Sequence, residues 1–69
     1  MKLSARNVLK GIVKDIDVGA VNVELLVEIA TGVQITSIIT KKSYENLGLK
    51  VGKEAFVVIK ASDVMIGSN

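Results

Sequence analysis

Alternation of apolar and polar positions organises most of this chain. From Val21 to Ala30, Val21, Val23, Leu25, Val27 and Ile29 fall on one face, and Asn22, Glu24, Leu26, Glu28 and Ala30 fall on the other. A period of two with one apolar face predicts a half-buried strand. Leu26 stands on the otherwise polar face, as either a lone exposed apolar residue or a contact between subunits. Asn7 to Val18 predicts an earlier strand, broken or coiled at Gly11, where a bulge would bend it. Asp17-Val18-Gly19-Ala20 then turns the chain into the second strand, and Thr31-Gly32 turns it into a third, Val33 to Thr40. The third strand carries Ile35 and Ile39 on one side and Ile38 on the other, so it is expected to be covered twice, by its own core and by a neighbour.

After Thr40 the period changes. Lys41 to Leu49 predicts a short helix with Ser43 as its N-cap, Tyr44, Leu47 and Leu49 pointing inward, and Gly48 ending it in the left-handed conformation. Lys50-Val51-Gly52-Lys53 reads as a turn, Glu54 to Lys60 as a fourth strand and Asp63 to Ile66 as a short fifth. Valine and isoleucine dominate and proline is absent, which favours strands. The expected architecture is all-β: a small five-stranded OB-type Greek-key barrel with one short helix between strands 3 and 4, residues 1–69 forming a single domain.

Composition adds a constraint. A chain of 69 residues buries a modest fraction of its surface and is marginal alone. Without cysteine it has no disulfide or thiolate–metal staple. Yet 49% of its residues are hydrophobic, too many for a disordered tail. Sharing a core between subunits is the expected remedy. The net charge of +2 is mild for a protein that lives on phosphate backbones. The only aromatics, Tyr44 and Phe56, both read as core, which leaves an OB-type nucleic-acid binder without a stacking platform. No apolar run approaches the ~20 residues that span a bilayer, and residues 1–10 lack the apolar stretch of a secretory signal. The expectation is a soluble cytoplasmic protein that contacts neither nucleic acid nor membrane.

Most catalytic classes are disfavoured by what is missing. With no His and no Cys, the usual general base, thiolate nucleophile and transition-metal ligands are absent. The acids Asp15, Asp17, Glu24, Glu28, Glu45, Glu54 and Asp63 are scattered, and no glycine-rich phosphate loop is present. A binding function survives. Three polar groups, Ser4-Ala5-Arg6-Asn7, Thr40-Lys41-Lys42-Ser43 and Lys60-Ala61-Ser62, stand at the edges of predicted strands. They supply hydroxyls, cationic heads and loop N–H groups, with no side-chain carboxylate among them, which suits a small tetrahedral oxyanion. Charge-assisted hydrogen bonds contribute roughly 1.5–3 kcal/mol each, so about four to six of them reach micromolar affinity after desolvation and ordering costs. Taken singly, each element has an ordinary reading: Ser4 starting a strand, Arg6 and Lys41-Lys42 as solvated charges, Thr40 and Ser43 as helix caps, Lys60 as a strand end. The groups lie far apart in sequence, so folding, or two subunits, must bring them together.

The Ser4-Ala5-Arg6-Asn7 start, the Ile35-Thr36-Ser37-Ile38-Ile39-Thr40 strand, Ser43 before Leu47-Gly48-Leu49, Val51-Gly52-Lys53, and the final Val58-Ile59-Lys60-Ala61-Ser62-Asp63-Val64 resemble the molbindins. These are stand-alone Mop proteins, molybdate-binding domains of the TOBE type, and the match runs from about Leu3 to Ile66. The resemblance implies a non-enzymatic OB-type barrel assembled as a hexamer, a trimer of dimers. Molybdate, and tungstate with it, would be held at subunit interfaces by hydrogen bonds alone, with no direct metal coordination and no organic cofactor. One subunit would offer Ser4, Ala5, Arg6, Lys60, Ala61 and Ser62, with Ala5 and Ala61 acting through main-chain groups only and Arg6 mostly through its backbone while helping the interface. The partner would offer Thr40 and Ser43, with the Lys41 and Lys42 N–H groups nearby. In this picture Lys60 is the principal charge partner, and Ser43 and Thr40 fix the orientation of the anion. A second oxyanion site near the three-fold axis would use Gly19, Ala20, Val21 and Asn22. The implied role is molybdate storage and homeostasis in the cytoplasm; the alternatives are a molybdate-sensing regulatory subunit acting through a partner protein, or an OB-type nucleic-acid-binding module.

Overall fold

The backbone alternates its side chains as the pattern requires and forms four antiparallel strands: β1 (Asn7–Val18), β2 (Asn22–Ala30), β3 (Val33–Thr40) and β4 (Glu54–Ile59). A helix, α1 (Lys41–Leu47), lies between β3 and β4, and a 3-10 turn (Ala61–Asp63) follows β4. The computed structural model describes residues 1–69. The strand order is β3-β2-β1-β4, so β4 returns past the helix to lie beside β1.

β1 divides its length between two partners. Asn7 to Ile12 pair with β4, and Ile12 to Val18 pair with β2. Gly11 sits at the changeover and is buried. A Cβ there would lie 2.7 Å from the Glu28 carbonyl oxygen and 2.8 Å from a Val27 methyl, so only glycine admits the close approach of β2. The bulge expected at Gly11 falls instead at Lys14, between the pairs Val13–Val27 and Asp15–Leu26. The inward positions explain the shift. Gly11 and Val13 are buried and Ile16 is half-buried, whereas Lys14 and Asp15 both face solvent. Only an extra residue between Val13 and Ile16 lets both face inward, since strict alternation would turn Ile16 outward.

Val13, Val23, Leu25 and Val27 form the buried core, with Ile16, Ile29, Ile39, Tyr44, Leu49, Ala55 and Val57 packed around it. Thr40, not Ser43, caps α1: it keeps the extended backbone of β3, and its side chain accepts from the Ser43 N–H. Gly48 ends the helix in the left-handed region at φ 61, as expected. Leu47, expected inward, is exposed, because a seven-residue helix reaches the core mainly through Tyr44. Phe56 is likewise not core. Its register opposite Lys10 puts it on the outer face of β4, while Ala55 and Val57 turn inward. No fifth strand forms: the 3-10 turn carries the chain off the end of β4, and Val64–Ile66 joins no ladder. β3 is covered once only, since Ile38 stays 67% exposed. Leu26 is half-buried between its cross-strand neighbours Asp15 and Thr36. No helix is long and apolar enough to cross a membrane.

The chain exposes 5435 Å². A compact monomer of this mass would expose about 4,200 Å². Large apolar residues are among those exposed: Val8, Ile12, Phe56 and Val58 on the outer face of β1 and β4, and Val21 and Ile38 near the opposite end.

Gly11→Ala is expected to destabilise the fold by about 1–3 kcal/mol, because its methyl meets main-chain atoms that cannot yield. Chemical denaturation measures the loss. A variant as stable as the parent would mean that β2 can withdraw without cost.

Candidate functional site

The register places two of the three polar groups together. Pairing of Asn7 with Ile59 brings the segment Ser4–Arg6 beside Lys60–Ser62 at one corner of the sheet. The Asn7 Nδ2 donates to the Ile59 carbonyl at 3.2 Å, a half-buried bond between residues 52 apart in sequence. In the 3-10 turn that follows, the Asp63 N–H donates to the Lys60 carbonyl at 2.8 Å and the Val64 N–H to the Ala61 carbonyl at 3.3 Å. The N–H groups of Lys60, Ala61 and Ser62 have no acceptor within the chain. The side chains of Ser4, Arg6, Lys60 and Ser62 are exposed and engaged in no hydrogen bond or ion pair. Asp63 is the only carboxylate in the turn, and it does not pair with Lys60. The two ion pairs present, Lys10–Glu54 at 3.3 Å and Lys14–Glu28 at 4.0 Å, lie away from this corner and are solvated, so they contribute little.

The third polar group occupies another corner, where β2 begins and β3 ends. Asn22 pairs with Thr40, and the Lys41 N–H donates to the Val21 carbonyl at 2.9 Å. The Gly19–Asn22 loop therefore lies against Thr40–Ser43, so two sets of residues that the sequence assigned to different sites are neighbours. The loop closes on itself through the Gly19 N–H, which donates to the Asn22 carbonyl at 2.8 Å. Two expected donors are consequently spent. The Lys41 N–H continues the β2–β3 ladder by one residue, which leaves the Lys42 N–H as the main-chain donor of that pair. Thr40 Oγ1 accepts from the Ser43 N–H at 3.1 Å and donates to Ser43 Oγ at 2.9 Å. A hydroxyl has one proton to give. Thr40 commits its proton to Ser43, and the Ser43 hydroxyl is the one left to donate outward.

The two corners lie diagonally across the sheet. One is at the start of β1 and the end of β4; the other is beyond the far end of β1. The whole twelve-residue length of β1 separates those two levels. The largest cavity, about 500 Å³, is at neither corner. It is an apolar trough lined by residues such as Val13, Leu25, Val27, Leu49 and Val57, and it contains none of the predicted donors. Such a lining cannot replace the hydration of a doubly charged ion. No group of three or more Asp, Glu, His or Cys side chains gathers to hold a metal cation. Sequence reasoning placed Asn7 in the first polar group but assigned it no role; its reach to Ile59 depends on a strand pairing that local pattern does not specify.

Residues 3–66 match the family model of the TOBE domain. The chain is 52% identical over 66 residues to molybdenum-pterin-binding protein 1 of Clostridium pasteurianum, covering 96% of this chain and 97% of that protein. Among solved structures, MopII from Clostridium pasteurianum superposes with a TM-score of 0.90 at 49% identity, covering 97% of this chain and 100% of that one. A molybdate-bound crystal structure of the cytoplasmic molybdate-binding protein ModG matches with a TM-score of 0.89 at 51% identity, over 94% of this chain and 46% of that one.

Thr40→Val is expected to lower stability by about 1 kcal/mol through loss of the helix cap, whereas Thr40→Ser retains it. Urea denaturation distinguishes the two. Equal stability of the valine variant and the parent would show that the Thr40–Ser43 bonds do not hold the corner.

Proposed function

As a member of the TOBE-domain family, in its Mop or molbindin branch, the chain is one that we propose binds molybdate, and tungstate with it, by hydrogen bonds at subunit interfaces. The observation that carries this reading is the division of the donors. One corner offers the Ser4, Arg6, Lys60 and Ser62 side chains with free N–H groups at 60–62, the other offers the Ser43 hydroxyl and the Lys42 N–H, and the strands hold the two apart. One chain cannot close both around one ion; two chains can, the first corner of one meeting the second corner of its neighbour. Ala5 and Ala61 then serve through main-chain groups, Lys60 supplies the principal charge, Lys41 adds charge through its side chain, and Thr40 stands behind Ser43.

The surplus of about 1,200 Å² over a compact monomer supports assembly, because a standard interface buries about 800 Å² per partner. The apolar residues at both corners are those that association would cover. In this reading residues 1–69 act as one Mop domain, the strand order that sets β4 beside β1 is an OB-type Greek key, and the assembly is a hexamer built as a trimer of dimers. Gly19, Ala20, Val21 and Asn22 form a second oxyanion site near the three-fold axis, using the main-chain groups that the loop does not spend on itself. The role is binding without catalysis: storage of the oxyanion in the cytoplasm, with no organic cofactor and no nucleic-acid or membrane partner. The similarity to ModG, a molybdate-binding protein, and to a molybdenum-pterin-binding protein of Clostridium pasteurianum supports the choice of oxyanion. Donors fixed to strands and enclosed between subunits form a dry cage in which each hydrogen bond strengthens.

Native mass spectrometry with and without molybdate tests the reading. The expected result is an oligomer that carries a whole number of oxyanions; a monomer that captures molybdate with undiminished affinity overturns it. Lys60→Ala is expected to weaken molybdate binding by roughly 10- to 100-fold, the equivalent of one charge-assisted hydrogen bond, while the assembly stays folded. Titration calorimetry measures the change, and an unaltered affinity removes Lys60 from the site.

A further inference from the structure

Asn7 stands in the first polar group but has no part among the anion's proposed donors, yet its carboxamide makes the one half-buried side-chain hydrogen bond in the chain, to the carbonyl of Ile59. Ile59 is the last residue of β4, and its carbonyl belongs to the peptide group whose nitrogen is that of Lys60. A trans peptide is planar, with its C=O and N–H pointing in opposite directions. The chain contains no cis peptide bond. The ladder pairing of Asn7 with Ile59 directs this carbonyl toward β1, and the Asn7 carboxamide adds a second donor to it, so the Lys60 N–H is turned away from Asn7 and from the ladder.

The same N–H has no acceptor in the chain, and it opens a run of three free donors, Lys60, Ala61 and Ser62, before the 3-10 turn begins to satisfy its own amides. The first peptide plane sets the direction in which that run departs from the sheet. From this geometry we infer that Asn7 is a positioning residue for the oxyanion site: at the last rung of the β1–β4 ladder its side chain reinforces the Ile59–Lys60 peptide plane and so steadies the aim of the Lys60–Ser62 donors. It works through the main chain and does not touch the anion. The inference rests on the reading that Lys60–Ser62 hold an oxyanion. It adds that their alignment is maintained from β1, by the residue that directly follows Ser4-Ala5-Arg6. The carboxamide thus adds a side-chain tie to the strand pairing that joins the two polar segments of this corner.

The experiment compares the full-length assembled protein with Asn7→Leu, which keeps bulk and loses the donor, and with Asn7→Gln, which keeps a carboxamide. Molybdate affinity is measured by calorimetry, and the amide resonances of residues 60–62 are followed during molybdate addition. The expected result is an affinity loss of about tenfold in Asn7→Leu, from one misdirected hydrogen-bonding unit, with substantial recovery in Asn7→Gln. In the parent, molybdate shifts the amides of 60–62; in Asn7→Leu those shifts shrink although the oligomer and its melting temperature are retained. Where Asn7→Leu does not fold, Asn7→Ala serves the same comparison. An affinity within twofold of the parent in the variant lacking the donor, or no recovery in Asn7→Gln, overturns the role of Asn7. Parent protein whose amides at 60–62 do not respond to molybdate overturns the site reading itself, a failure separable from that of Asn7.

Discussion

The changeover of partners along β1 is the constraint on which the rest of the molecule depends. The first half of β1 holds β4 and the second half holds β2, and the strand must coil between them. Gly11 allows the close contact, and the extra residue at Lys14 resets the phase so that Ile16 returns to the interior. Because each strand end is tied to a particular level of β1, so is every polar segment that follows or precedes a strand. Ser4–Arg6 and Lys60–Ser62 meet at one level; Gly19–Asn22 and Thr40–Ser43 meet at the other. A rigid ladder of backbone hydrogen bonds keeps the levels apart. In the proposed reading, a cage that uses both corners is completed by another copy.

The same constraint shapes the energetics. A sheet of four short strands and one brief helix encloses only four fully inward apolar side chains, Val13, Val23, Leu25 and Val27. Apolar residues left over lie on outer faces and at strand ends, and Val8, Val58, Val21 and Ile38 among them stand near the donor corners. Covering them and closing a two-chain cage are one event in the proposed reading, so apolar burial holds the donors in place before any anion arrives. That is an economical arrangement for recognising a dianion, since donors already fixed lose little further entropy on binding. The uncommitted state of Lys60, Arg6 and the 60–62 amides is consistent with it: these groups have no internal partner to give up.

Local pattern suffices for some elements and not for others. The β2 alternation, the two strands flanking it and the left-handed Gly48 stop were legible, because each depends on side chains or dihedral preferences within a few residues. The bulge was assigned to the glycine, although the spacing of Val13 and Ile16 already carried the better signal. Phe56 was taken as core because it is large and apolar; its actual face follows from its register opposite Lys10. The fifth strand failed for the converse reason. Val64–Ile66 has the composition of a strand, but a strand exists only where an edge is presented to it, and the 3-10 turn leads the chain away from β4. In the site, the residue types pointed to oxyanion chemistry. The spending of the Lys41 N–H on Val21 and of the Thr40 proton on Ser43 could be seen only once the partners were in place.

By itself, the sequence determined the predominance of strands, the positions of the turns between them, the absence of histidine and cysteine, and the supply of hydroxyl, cationic and main-chain donors. Each is a property of residue type or of short-range periodicity, and none needs knowledge of distant neighbours. The tertiary structure alone decided which donors stand together, which are already satisfied, and that they divide between two corners. Those outcomes depend on strand register, and register is set by contacts between residues as far apart as Asn7 and Ile59, which no local pattern encodes.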